Sequence, residues 1–191
     1  MIPVRITERA QALAAEALRP GDIAVDATAG KGRDAAFLGR MVGPSGHVHA
    51  FDIQTEAIDA TRRLLALAGL TERSTLHQRS HSELAAALPP GSMGKVGAVM
   101  FNLGYLPGGT PSVITQPETT AKALDEAYTA LRPGGRIVCV TYTGHPGGPE
   151  ESAAVLAFAQ AHADAGHPVE RLGYFPNPGR PWILTVDKPA A

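Results

Sequence analysis

Five times along the chain a short apolar run ends at a polar or glycine-containing turn and gives way to residues with helical spacing. The runs are DIAVDAT, HVHAFD, STLHQRS, KVGAVMFN and RIVCVTY. Strand and helix in alternation can bury both apolar surfaces only if the strands lie mostly parallel in one sheet, with helices on both faces and right-handed crossovers. A closing pair, VERLGYF and WILTVDK, brings the sheet to seven strands and breaks the alternation, so it can supply one antiparallel strand. The second of the pair is expected at an edge because Pro181 precedes it.

Between these runs the helices read clearly. Thr7 is placed to cap an N-terminal helix over about 7–19 that Pro20-Gly21 stops. A helix beginning near Thr55 carries Ala57, Ile58, Thr61, Leu64, Leu65 and Ala68 inward and ends at Gly69. Others are expected in DAAFLGRMV, ELAAAL, TTAKALDEAYTAL and EESAAVLAFAQAHADA. At 191 residues, 44% hydrophobic and 18% charged, residues 1–191 make one domain with a large interior. Cys139 sits inside IVCVTY and reads as a buried small hydrophobe.

The first strand ends at Asp26-Ala27-Thr28 and is followed by Ala29-Gly30-Lys31-Gly32 before a helix. Glycines there permit a tight turn with backbone amides turned to a ligand. The second strand ends at Asp52, placed to accept hydrogen bonds from a ribose diol, with Ile53 and Gln54 beside it for the sugar or ring. Ser80 and His81, after the third strand, fall where an adenine edge would rest, and Ser80 or Ser82 also suits a helix cap. The pattern leaves NAD and S-adenosylmethionine (SAM) both open; GKGRDA lacks the full GxGxxG spacing, which favours SAM.

In MFNLGYLPGG the fourth strand stops at Asn102. Its side-chain carbonyl can accept from an amine, as can the backbone carbonyls of Leu103 and Gly104, while Tyr105 can stack on or bond a planar substrate. Tyr142 and His145 follow the neighbouring strand and can reach the same mouth, His145 as a substrate or proton-transfer residue. Acceptors of this kind suit a neutral amine whose lone pair must be aimed in line with a methyl group.

The stretches DATAGKGRDAAFLG, AFDIQTEAI, MFNLGYLPGG, TTAKALDEAYTALRPGG and TYTGHPGGPEE resemble the class I SAM-dependent methyltransferases. They are closely similar to a small bacterial family labelled "putative rRNA methylase" and associated with tRNA wobble-uridine modification. The likeness covers most of the chain from Asp26 to Glu151. It implies a Rossmann-like class I methyltransferase fold, SAM as cofactor, and methyl transfer to the aminomethyl group of 5-aminomethyl-(2-thio)uridine at the tRNA wobble position. By similarity Asp26, Gly30 and Gly32 belong to the first cofactor motif, with Thr28 inside it, and Asp52 is the ribose contact. Asn102 to Tyr105 resembles an Asn-Pro-Pro-Tyr substrate loop with both prolines replaced. In this reading Asn102 orients the amine beside the cofactor, Tyr105 shapes the acceptor pocket and His145 assists.

An RNA substrate calls for positive surface even though the net charge is -1. Arg33, Arg40, Arg62, Arg63, Arg79, Arg171 and Arg180 are the candidates; Trp182 and Phe175 could stack on a base, but the reading for both is core packing. The expected partner is the tRNA anticodon region; a homodimer would widen that surface, although composition defines no interface. The seven histidines form no compact ligand set, so no metal is expected. The N-terminal stretch carries Glu8 and Glu16 within its apolar pattern, and no run reaches the roughly 18 apolar residues that span a bilayer, so the expectation is a cytoplasmic protein. Competing readings are a small-molecule amine or other RNA methyltransferase, a non-catalytic SAM- or RNA-binding domain, and an NAD-dependent reductase.

Overall fold

A computed structural model describes residues 5–104, 115–173 and 179–190. Among these residues seven strands form one sheet: β1 (Ile23–Asp26), β2 (His47–Asp52), β3 (Ser74–Gln78), β4 (Val96–Asn102), β5 (Leu131–Thr141), β6 (Val169–Gly173) and β7 (Trp182–Asp187). Their order is β3-β2-β1-β4-β5-β7-β6. The first five strands are parallel, and β7 runs antiparallel to both β5 and β6. The sequence order reverses direction between β1 and β4, which opens a crevice at their carboxyl ends.

Among the described residues six α-helices cover the sheet: α1 (Ile6–Ala17), α2 (Arg33–Met41), α3 (Thr55–Leu67), α4 (Leu84–Ala87), α5 (Pro117–Ala130) and α6 (Gly148–Asp164). The period of two along the strands sorts their side chains to opposite faces. Val25, Phe51, Phe101 and Cys139 pack with α4, α5 and α6, while Ala24, Ala50, Met100 and Val140 pack with α1, α2 and α3. Burial of Cys139 pushes its thiol well above the usual range, and Glu151 adds to the shift.

Three local expectations change, and the core reading of Trp182 holds. Thr7 does not cap α1; the helix begins at Ile6, and the Arg5 amide at its start donates to the Glu8 carboxylate at 3.3 Å. The helix also stops at Ala17, short of 19. WILTVDK is not an edge strand, because β6 pairs along its outer flank and takes the edge instead. Pro181 precedes the paired residues, so no ladder donor is lost. Trp182 is 1% exposed, its indole N–H donating to Ser152 Oγ at 3.2 Å, so it serves the core and not a base. Phe175 lies outside the described residues.

At the far end of the sheet from the crevice, Arg132 ties three elements together. It donates to the Asp22 carboxylate before β1 and to the Ala17 carbonyl at the end of α1. Fixing that end leaves the loops at the opposite end to shape the crevice.

Candidate active site

A cavity of about 870 Å³ lies over the carboxyl ends of β1, β2 and β4. That is toward the upper end of the range for small-molecule sites. The turn after β1 forms its floor. Gly30 and Gly32 have φ of 52° and 80°, the left-handed region that favours glycine. Gly32 admits no side chain for a second reason, since a Cβ there would stand 2.8 Å from the Thr61 Cα on α3. The Gly30 amide donates to Asp52 Oδ2 at 3.0 Å and the Gly32 amide to the Ala29 carbonyl at 2.7 Å, so these two donors hold the turn instead of facing a ligand.

Asp52 ends β2 at the cavity wall. Its second oxygen accepts the Gln54 amide at 2.9 Å, so the carboxylate is oriented by two backbone donors and retains lone pairs for a diol. Beside it Ile53 is 54% exposed and, with Gln54, lines the cavity. An apolar side chain left open there offers a platform for a planar ring. Ser80 and His81 form the facing wall. Ser80 Oγ accepts the Ser82 amide at 3.2 Å, so it caps the following turn as well. Burial pushes His81 down to about 4, partly opposed by the Ala27 backbone, so its ring is neutral at pH 7. Its Nε2 is buried with no hydrogen-bond partner among the described residues.

Asp26 and Gly32 stand behind the wall, outside the residues that line it. Asp26 is fully buried; one oxygen accepts the Thr28 amide at 3.1 Å and the other has no partner among the described residues. Burial first, then the charge of Asp34, pushes its carboxyl well above the usual range. Asp34 itself lines the cavity and accepts from Gln11 Nε2 of α1 at 2.7 Å. Burial raises its pKa too, against the pull of Gln11 and Arg33. Both shifts come first from burial, which disfavours the charged form of a carboxyl.

Asn102 closes the other end. Its backbone amide donates to Thr28 Oγ1 at 2.7 Å; the residue lines the cavity, and its carboxamide has no hydrogen bond among the described residues. Leu103 and Gly104 follow along the wall; Leu103 N–H donates to the Val140 carbonyl at 2.9 Å, and the Gly104 carbonyl accepts the Thr115 amide at 3.1 Å. Tyr142 and His145 line the same region from beyond β5. Burial, then the charge of Asp34, raises the Tyr142 phenol, which stays neutral. Tyr105 lies outside the described residues.

Several wall residues carry no signal in the sequence. Thr7 and Gln11 reach the cavity from α1, which local pattern assigns only to packing. Asp34 on the wall, and Glu151 outside the residues that line it, each sit in the first turn of a helix, where an acid reads as a partner of the helix dipole. Only the folded chain shows both to be buried.

The sheet order, with helices on both faces and β7 antiparallel, is that of the Rossmann-like class I methyltransferase fold. Residues 48–186 match the family described as "Putative rRNA methylase". An Arabidopsis thaliana protein, "tRNA (mnm(5)s(2)U34)-methyltransferase, chloroplastic", is 42% identical over 162 residues, 81% of this chain and 58% of that protein. The chain spans 30% and 29% of two ribosomal RNA small subunit methyltransferase H proteins that it also matches. Among solved structures, a "putative rRNA-methylase" from Clostridium thermocellum has a TM-score of 0.90 at 35% identity, covering 98% of this chain and 100% of that one. A "putative methyltransferase" from Streptococcus mutans in complex with SAH has a TM-score of 0.84 at 30% identity, covering 98% and 99%. The chain belongs to this rRNA methylase family.

Proposed function

We propose that the chain is a SAM-dependent N-methyltransferase that acts on the aminomethyl group of 5-aminomethyl-(2-thio)uridine at the tRNA wobble position. The observation that carries this reading is the place of Asn102, on the cavity wall at the end of β4, with its carboxamide unbonded among the described residues. The Arabidopsis relative, by its name an enzyme of that wobble modification, supports the choice of acceptor.

The residues present fit SAM. Asp52 suits the ribose diol, Ile53 the purine face, and the Ser80–His81 turn its edge. Asp34, on the cavity wall beside Gln11, suits the cationic amino-acid end, with buried Asp26 behind it. The SAH complex of the Streptococcus mutans relative supports the same cofactor. When bound, SAM supplies a methyl group on a sulfonium centre, already electrophilic.

What remains for the protein is to present an uncharged nitrogen. Asn102 Oδ1 accepts one N–H of the amine and so turns the nitrogen lone pair into the cavity. A carboxamide does this without a negative charge, which would hold the amine as ammonium. Tyr142 and His145 border the acceptor end, and the proton shed by the product amine leaves toward solvent through the cavity mouth. Lys31, Arg33 and Arg79 line the cavity and are exposed, which gives phosphate a place to rest.

The test is labelled SAM with purified protein and tRNA carrying either 5-aminomethyluridine or unmodified uridine at the wobble position. Label in the first RNA alone is expected. Label in a free amine and in neither RNA would overturn the reading in favour of a small-molecule enzyme.

A further inference from the structure

Glu151 is 1% exposed, delivered inward by the first turn of α6. A buried carboxylate is a poor source of stability, because its desolvation offsets what its partners return. This one is nevertheless well held. Oε2 accepts the Thr115 hydroxyl and Oε1 the Thr120 hydroxyl, both at 2.6 Å. Burial raises its pKa, and the two hydroxyls and nearby His145 oppose the shift.

The consequence runs through Thr115. A hydroxyl has one proton to give. With that proton committed to Glu151, Thr115 Oγ1 acts as an acceptor, and it takes the Gly104 amide at 3.0 Å. The Thr115 amide returns a bond to the Gly104 carbonyl at 3.1 Å. Both backbone polar groups of Gly104 are therefore fixed by one residue, whose orientation a buried carboxylate sets.

Gly104 is two residues past Asn102, and each step between them is tied. Thr28 holds the Asn102 amide, Val140 that of Leu103 and Thr115 that of Gly104. Gly104 adopts φ of 138°, where an added Cβ would approach His145 Nε2 at 3.5 Å and Tyr142 at 3.8 Å. Its place thus sets the gap between the end of β4 and those two side chains.

We propose that Glu151 is a positioning residue for the acceptor side of the site, acting through Thr115 to fix Gly104 and thereby the direction in which Asn102 projects; this rests on the reading of Asn102 as the amine contact. Glu151 touches neither the cofactor nor the amine. Its contribution is to the geometry of attack, where a displacement of about 1 Å costs roughly 100-fold in rate.

The test compares Thr115→Val, which keeps shape and removes the hydroxyl, with Thr115→Ser, which keeps the hydroxyl, and with Glu151→Gln. Three quantities are read: hydrogen exchange at the Gly104 amide, SAH affinity, and kcat against KM for the amine-bearing tRNA. Thr115→Val is expected to speed Gly104 exchange roughly five- to ten-fold. It should lower kcat by roughly 10- to 100-fold with SAH affinity unchanged. Thr115→Ser should restore both, and Glu151→Gln should fall between them. Wild-type exchange at Gly104 in Thr115→Val, or failure of Thr115→Ser to restore what Thr115→Val loses, would overturn the proposal. If the wild-type protein methylates no RNA, the substrate assignment falls by itself, and the exchange comparison still decides whether the clamp exists.

Discussion

Asp52 Oδ2 accepts the Gly30 amide at 3.0 Å, so the last residue of β2 and the glycine turn after β1 are one unit. Its other oxygen is bound to the Gln54 amide. The carboxylate therefore arrives at the cavity already oriented.

Asp52→Ala should weaken SAH binding by roughly 10- to 100-fold, the loss of charge-assisted hydrogen bonds to a diol together with a loosened Gly30 turn. Calorimetric titration checks this. Asp52→Asn, which keeps one acceptor oxygen, should lose less. Equal affinity in all three proteins would mean that the ribose does not lie there.

Asn102→Ala should lower kcat by roughly 10- to 100-fold while leaving SAH affinity near the wild-type value. Asn102→Asp is the sharper variant. A carboxylate facing the amine favours its protonated form, so the residual activity should shift to higher pH. A pH–rate profile that does not move would argue that this side chain does not contact the reacting nitrogen.

Gly32→Ala places a side chain at φ of 80° and 2.8 Å from the Thr61 Cα. The strain and the displacement of α3 should cost about 1–3 kcal/mol. Urea denaturation with and without SAH gives both the loss of stability and the loss of binding. Both are expected, because the turn that Gly32 closes also carries the Gly30 link to Asp52.

His49 provides a pH test away from the site. It is 3% exposed, with Nδ1 3.0 Å from His77 Nε2, and its ring lies between those of His47 and His77. Burial, then the neighbouring His47 and His77, depress its pKa to about 4. The folded chain thus refuses a proton that the unfolded chain takes up below about 6.5. Its contribution to stability is present above that pH and is lost as pH falls toward 4, by up to about 1.4 kcal/mol per unit. Asp26, raised in pKa, acts with the opposite sign, so the informative quantity is the difference between wild type and His49→Gln. The variant should lose stability less steeply between pH 6 and 5, measured by urea midpoints.

The sequence was most readable where an element's burial follows one regular pattern, a short run buried on both faces or a helical stripe. HVHAFD gives β2 with the expected bounds, and the inward residues of α3 include Ala57, Ile58, Thr61 and Leu65 as spacing requires. Asp52 at the cavity wall was legible for the same reason, since a strand end in such a fold points to the crevice. The place of β7 was not, because a proline before a strand does not say which distant segment will pair on its outer side. Glu151 and Asp34 escaped because an acid in the first turn of a helix looks the same in sequence whether it faces water or the interior. Gln11 escaped because α1 reaches the cavity only after packing across the sheet.

The most direct measurement is mass analysis of nucleosides from tRNA with a 5-aminomethyl wobble uridine, after incubation with SAM and either the wild-type protein or Asn102→Ala. One added methyl group on that nucleoside with the wild type, strongly reduced with the variant, is the predicted result. An unmodified wobble nucleoside with the wild type, or equal methylation by both proteins, would contradict the assignment of Asn102 as the group that presents the amine.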